Sequence, residues 1–218
     1  MSERNLRRDI VETARAMNAN GINQGTSGNV SARTEGGFLI TPSGIGYDDC
    51  TPADVVRMAM DGSAEGRLKP SSEWPLHRDL LAARPEINAV LHAHPPYATA
   101  LACLGRGIPA FHYMVAIAGG RDIRCAAYAT FGTQELSRAA LEALEGRGAC
   151  LLANHGMVAL GRSLKAVLML ALEVETLARQ YLSALQAGEP NLLGEAEMDV
   201  VLEKFKAYKT DNGGRDGR

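Results

Sequence analysis

Apolar positions change period several times along the chain, and each change marks an element. Leu6, Ile10, Val11, Ala14 and Met17 recur at helical spacing, and Asn20-Gly21 ends the helix they predict. Asn29–Ala32 and Gly37–Thr41 read as two strands joined by a turn at Thr34-Glu35-Gly36. Thr51-Pro52-Ala53-Asp54 has the form of a cap with proline at the first helical position. It predicts a single turn, then a strand over Val55–Met60 and a hairpin turn at Asp61-Gly62. Ser72 is the expected cap of a helix reaching about Ala83. Ala89-Val90-Leu91-His92-Ala93-His94 then reads as a short buried strand stopped by Pro95-Pro96.

Further on, Thr133-Gln134-Glu135-Leu136 opens a helix that ends near Gly146. Ala149–Asn154 and Met157–Leu160 form a hairpin-like pair with His155 at its tip. Ser163 is the expected cap of the longest helix, reaching about Gln186, with Leu164, Val167, Leu168, Ala171, Val174, Ala178 and Leu182 as its apolar stripe. Glu195–Tyr208 predicts a last amphipathic stretch, and residues 211–218 a disordered tail. No repeat or linker divides the chain, so residues 1–210 are expected to form one domain of strands with helices on both sides.

Composition narrows the classes. At 218 residues, with 46% hydrophobic and 22% charged, the chain can bury a full-sized core without disulfides. A net charge of −2 gives no bias toward nucleic acid or an anionic membrane, so an anionic substrate would need a local site. Cys50, Cys103, Cys125 and Cys150 form no C-x-x-C pair, which suits a reducing cytosol. The first residues are charged, without a signal-peptide core, and no apolar run spans a bilayer. The expected address is cytoplasmic.

Alternate residues on a strand face one way, so His92 and His94 can grip one metal ion. His155 stands at a similar strand exit. Three imidazoles with an open position are the coordination of a catalytic zinc, whereas structural sites close with four protein ligands. A bare His-x-His is more often two unrelated polar groups at a strand end; the third histidine, before a glycine, tips the balance. For His77 and His112, packing or hydrogen bonding is the better reading.

Ser71-Ser72-Glu73 offers hydroxyls and free amides at a helix start, a natural anion cradle, although an ordinary cap is the commoner use of such serines. Gln24–Asn29 and Thr41-Pro42-Ser43-Gly44 are further polar turns that suit a phosphate, and turn chemistry alone explains each. Glu73 is the carboxylate expected near the metal, as general base or as a fourth ligand displaced by substrate. Its plain alternative is a solvated acid at a helix start. No Walker loop, no Gly-x-Ser-x-Gly and no lysine in a Schiff-base context is present. Carbanion chemistry here would need the metal as its electron sink.

Taken in order, Asn23–Ser31, Leu39–Ile45, Pro70–Trp74, His92-Ala93-His94, Ile108–Met114, Tyr128–Thr133, Asn154-His155-Gly156 and Val201–Lys206 resemble the class II aldolase/adducin family over nearly the whole chain. The resemblance implies a three-layer α/β/α sandwich with a central mixed, largely antiparallel sheet. It implies a homotetramer with active sites between subunits and one Zn²⁺ per subunit on His92, His94 and His155. Glu73 matches the family's acid/base, and Asn29, Ser43, Gly44, Ser71 and Ser72 match its phosphate site. Tyr113 matches a tyrosine that reaches a neighbouring subunit's site and handles the alkoxide proton, while Phe131 and Tyr208 match residues on the aldehyde side.

The implied reaction is reversible cleavage of a ketose 1-phosphate to dihydroxyacetone phosphate and a small aldehyde. L-fuculose, ribulose, 5-deoxyribulose and 5-methylthioribulose 1-phosphates differ only at the far end; the last would place the enzyme in methylthioadenosine salvage. Ser43 replaces the threonine of the fuculose-type enzymes and Asn154 a histidine, neither of which threatens the chemistry. Ribulose-phosphate 4-epimerases of the family carry Asp where this chain has Glu73, and methylthioribulose-1-phosphate dehydratases match fewer of these runs. An adducin-type binding module would be expected to lack the histidines.

Overall fold

The computed structural model describes residues 2–212, with side chains through 207. Helix α1 (Glu3–Ala19) is capped by Ser2, whose hydroxyl accepts from the Asn5 amide, and it buries Ile10, Val11, Ala14 and Met17 as the spacing predicts. The strands follow as β1 (Asn29–Thr34), β2 (Gly37–Ile40), β3 (Val56–Ala59) and the two-residue β4 (Ala64–Glu65). Helix α2 (Trp74–Ala83) leads to β5 (Ala89–Ala93), and α3 (Pro96–Cys103) follows at once. A 3-10 turn over Tyr113–Ala118, β6 (Cys125–Ala126) and α4 (Gln134–Ala143) precede the hairpin of β7 (Ala149–Leu152) and β8 (Gly156–Gly161). The long α5 (Leu164–Ala187) and α6 (Glu195–Asn212) close the chain.

All eight strands form one sheet in the order β4-β3-β2-β1-β5-β8-β7-β6. Every pairing is antiparallel except β6 with β7. Strand alternation sorts side chains between two cores. Val30, Ala32, Leu91 and Ala93 pack with α1, α3 and α5, and α6 lies against the 3-10 turn in the same layer. Phe38, Ile40, Val90 and Val158 pack with α2 and α4 on the other face. The chain is therefore the expected single-domain α/β/α sandwich on a mixed, largely antiparallel sheet. No helix among the described residues is long and apolar enough to cross a membrane.

Several local expectations need correction. The α2 cap is Glu73, not Ser72; the Ser71 hydroxyl accepts from the Glu73 amide, and Ser72 stays exposed. Pro95-Pro96 does more than stop β5. It starts α3, whose first amides, at Tyr97 and Ala98, donate to the Glu175 carboxylate of α5 at 2.9 and 2.8 Å. The third strand is two residues shorter than expected. Helix α6 runs through Asn212, into the segment expected as tail; residues 213–218 lie outside the described residues.

Candidate metal centre

The sheet register assembles the site before any side chain is considered. Asn29, at the start of β1, lies directly opposite His92 near the end of β5, and Ser31 lies opposite Val90. Val30, Ala32, Leu91 and Ala93 face the α1–α5 layer, so strict alternation turns Asn29, Ser31 and His92 toward α2. Glu73 and His77, one helical turn apart at the start of α2, meet them there.

His155 arrives from the β7–β8 hairpin. Asn154 turns the tip with φ 54°, a left-handed conformation that asparagine tolerates. Gly156 is needed for closeness: a Cβ there would lie 2.5 Å from the Ala93 carbonyl oxygen and 2.7 Å from His94 Cδ2. Gly28 serves similarly, since a Cβ would lie 2.8 Å from the His92 carbonyl oxygen.

One ligand atom from each of His92, His94 and His155 lies within 4.8 Å of the others. His92 Nε2 and His94 Nε2 are 2.9 Å apart. His92 Nδ1 is 2.9 Å from the Met157 carbonyl oxygen, a contact that fixes the ring and leaves Nε2 for a metal. Glu73 Oε2 lies 3.0 Å from His92 Nε2 and Oε1 lies 3.4 Å from His155 Nε2. Oε1 is buried without a hydrogen bond. A carboxylate oxygen left unsatisfied in the interior is costly, and this one points into three converging imidazoles. A divalent cation satisfies all four groups, so the donor set fits a metal.

Electrostatics point the same way. Burial and the neighbouring His92 and His155 push His94 down to about 4, and burial with His92 also lowers His155. Both rings are thus held as neutral, metal-binding bases at neutral pH. Burial opposes ionisation of Glu73, but His92, His155 and the amide of Asn29 outweigh it and hold the carboxyl far below the usual range. His77, wholly buried, is pushed down to about 3, chiefly by that burial.

The remaining expected site residues fall around this centre unevenly. Asn29 is 3% exposed and its amide is engaged on both sides, by Glu73 and by His77. The 41–44 turn is stitched to the segment before α2, Ser43 N to the Lys69 carbonyl and Ser71 N to the Thr41 carbonyl. Ser43, Gly44 and Ser72 are exposed and Ser71 is buried. Gly44 has φ 78°. Gly132 borders Ser72, which brings the exposed Phe131 beside the same turn. Tyr113 does not join the cluster in its own chain: it is half exposed and stacks on His112, on the 3-10 turn packed with α5 and α6. Tyr208 is in α6, among residues whose side chains are not described. As expected, His112 has a hydrogen-bonding role, accepting from the Met114 amide. Gly156 was not expected as a close-packing support of His94, nor Glu175 as the acceptor at the start of α3.

Three histidines and a buried carboxylate, set between helical layers on a mixed sheet, form a donor set that fits a divalent metal. Residues 8–182 match the model of the class II aldolase and adducin N-terminal domain. The 5-methylthioribulose-1-phosphate/5-deoxyribulose-1-phosphate aldolase of Rhodospirillum rubrum is 58% identical over 203 residues, 93% of this chain and 92% of the relative. The L-fuculose phosphate aldolase of Escherichia coli is 47% identical over 209 residues, 95% and 97% of the two chains. A solved L-fuculose 1-phosphate aldolase superposes with a TM-score of 0.89 at 41% identity, covering 93% of this chain and 96% of that one. The chain belongs to the class II aldolase and adducin family, and it is an aldehyde-lyase of the ketose-1-phosphate type.

Proposed function

We propose that this enzyme is a cytoplasmic zinc aldolase that cleaves 5-methylthioribulose 1-phosphate and 5-deoxyribulose 1-phosphate to dihydroxyacetone phosphate and a small aldehyde. The carrying observation is the orphaned Glu73 Oε1 aimed into the three-histidine cluster. The substrate choice is supported by the 58% identity to the Rhodospirillum rubrum enzyme, against 47% to the fuculose enzyme. L-fuculose 1-phosphate is the second reading. Zinc rests on three histidine donors, a set that leaves a fourth coordination position for substrate oxygens.

A zinc ion held by His92, His94 and His155 supplies Lewis-acid polarisation of the ketose oxygens. The protein's own groups do the rest. Glu73 begins as a carboxylate. In condensation it takes a proton from the reacting carbon of dihydroxyacetone phosphate, which then attacks the aldehyde carbonyl. Tyr113, brought by an adjoining copy of the chain in a homotetramer, gives its phenolic proton to the new alkoxide. Cleavage runs these steps in reverse. The phosphate binds at Ser43, Gly44, Ser71 and Ser72 with the free hydrogen of the Asn29 amide, far from the breaking bond, and so fixes orientation. Phe131 and Tyr208 border the aldehyde.

The test is release of dihydroxyacetone phosphate, followed through a coupled NADH reaction, from 5-methylthioribulose, 5-deoxyribulose, ribulose and L-fuculose 1-phosphates. The highest kcat/KM is expected for the first two. A clear preference for fuculose 1-phosphate would move the assignment to the second reading, and no release from any of them would refute both.

A further inference from the structure

His77 and Ser31 are wholly buried polar side chains that the proposed chemistry does not use. They stand in line with Glu73. Ser31 Oγ is 2.7 Å from His77 Nδ1, His77 Nε2 is 2.5 Å from Asn29 Oδ1, and Asn29 Nδ2 is 3.0 Å from Glu73 Oε2. The direction of every bond in this line is determined by its last member. An ionised carboxylate only accepts, so Asn29 must present its NH₂ to Glu73 and its carbonyl oxygen to His77. A carbonyl oxygen also only accepts, so a neutral His77 must carry its proton on Nε2. Nδ1 is then a bare acceptor, and the Ser31 hydroxyl must donate to it. One pattern of hydrogens satisfies the line, and the opposite polarity is barred by the charge at its end.

We infer that the chain Ser31–His77–Asn29 is a one-way hydrogen-bond relay that fixes the Glu73 carboxylate through Oε2, which also faces His92, and so holds Oε1 beside His155 and toward the reacting carbon. His77 is in this sense a positioning residue for the aldol reaction. The inference rests on the reading of Glu73 as the base. Without the relay, the Asn29 amide is free to turn and set its oxygen against Oε2. The carboxylate then loses the one hydrogen-bond donor it has outside the histidine cluster among the described residues. Local geometry favours such a device: Ser31 and Asn29 alternate on β1, and His77 lies one turn beyond Glu73 on α2. Two rigid elements therefore hold all four groups.

The most direct test needs no turnover. Nitrogen-15 NMR of ring-labelled, metal-free protein should find His77 in the Nε2-protonated tautomer; a Nδ1-protonated ring would overturn the relay. Kinetics of the zinc-loaded enzyme supply the functional half. His77→Leu should lower kcat by about 10–100-fold, the range for groups that orient a catalytic shell, with KM within about twofold. His77→Gln, which can still donate to Asn29, should recover most of that loss. Ser31→Ala, the mildest change, should cost about threefold to tenfold in kcat, one neutral hydrogen bond's worth.

A folded His77→Leu with unchanged kcat would overturn the inference. So would a loss expressed in KM, which would assign the line to the phosphate, or one that His77→Gln fails to relieve while melting temperature falls equally. Glu73→Gln, run alongside, separates the two ideas. If it keeps a near-normal rate, the reading of Glu73 as base fails, whatever tautomer His77 shows.

Discussion

Gly156→Ala is the sharpest perturbation of the metal centre that leaves every ligand in place. Its φ is not in the left-handed region, so the cost is purely one of space. The added Cβ would sit 2.5 Å from the Ala93 carbonyl oxygen and 2.7 Å from His94 Cδ2, where real Cβ atoms keep at least 3.0 Å. Relief demands shifts of 0.5 Å and 0.3 Å at minimum, by subtraction from that limit. One neighbour is backbone on β5; the other is the imidazole itself. Metal–ligand distances tolerate only about 0.2 Å, so both shifts exceed what the site absorbs. Overpacking should cost about 1–3 kcal/mol of stability, and metal affinity should fall by about 10–100-fold, the usual effect of disturbing a ligand's support. The assay is competition with a calibrated chelator, monitored beside circular dichroism to verify the fold. Asn154→Gly, which relaxes the left-handed tip without adding atoms, is the control and should bind metal nearly as the wild type does. A folded Gly156→Ala protein with wild-type affinity would refute the claim that this glycine sets the His94 position.

Other perturbations separate the roles. Glu73→Gln should keep the metal and lose roughly 10²–10⁴ in kcat, the range for removing a general base; a near-normal rate would remove Glu73 from the mechanism. Ser71→Ala combined with Ser72→Ala should raise KM for ketose 1-phosphates more than it lowers kcat, and an unchanged KM would sink the phosphate assignment. Stability of the metal-free protein should depend on pH through His77. Its folded value of about 3 lies below the unfolded value of about 6.5. Below pH 6.5 the unfolded chain binds a proton that the folded chain refuses, so stability is full above that pH and is lost as pH falls toward 3. The slope from this one group is at most about 1.4 kcal/mol per pH unit. Urea titrations between pH 7 and 5 should show the loss, and His77→Gln should reduce the slope, the part that remains coming from His94 and His155, whose values are also lowered; an unchanged slope would contradict the assigned burial.

The sequence exposes the parts of this site that obey a local period and hides those that depend on tertiary register. His92 and His94 are legible because a strand repeats every two residues, and His155 because a strand and a glycine flank it. The stripes of α1 and α5 are legible for the same kind of reason. Helix α3 is not, because Pro95-Pro96 reads as a stop and its N-terminus is satisfied by Glu175, nearly eighty positions away. His77 carries a plain packing or hydrogen-bonding expectation, which the structure meets with Ser31 and Asn29. Its link to Glu73 exists only once β1 and β5 pair with Asn29 opposite His92. Ser72 misleads because any serine before a helix looks like a cap, whereas Ser71 takes the Glu73 amide and Glu73 becomes the boundary residue.

The central claim is a single functional zinc ion on His92, His94 and His155. It is tested most directly by stripping the protein with EDTA and titrating zinc back while release of dihydroxyacetone phosphate from 5-methylthioribulose 1-phosphate is followed. Activity absent from the stripped protein, rising linearly and breaking at one zinc per chain, with His94→Ala silent throughout, is the predicted result. Full activity in the stripped protein, or a His94→Ala variant that titrates like the wild type, would contradict it.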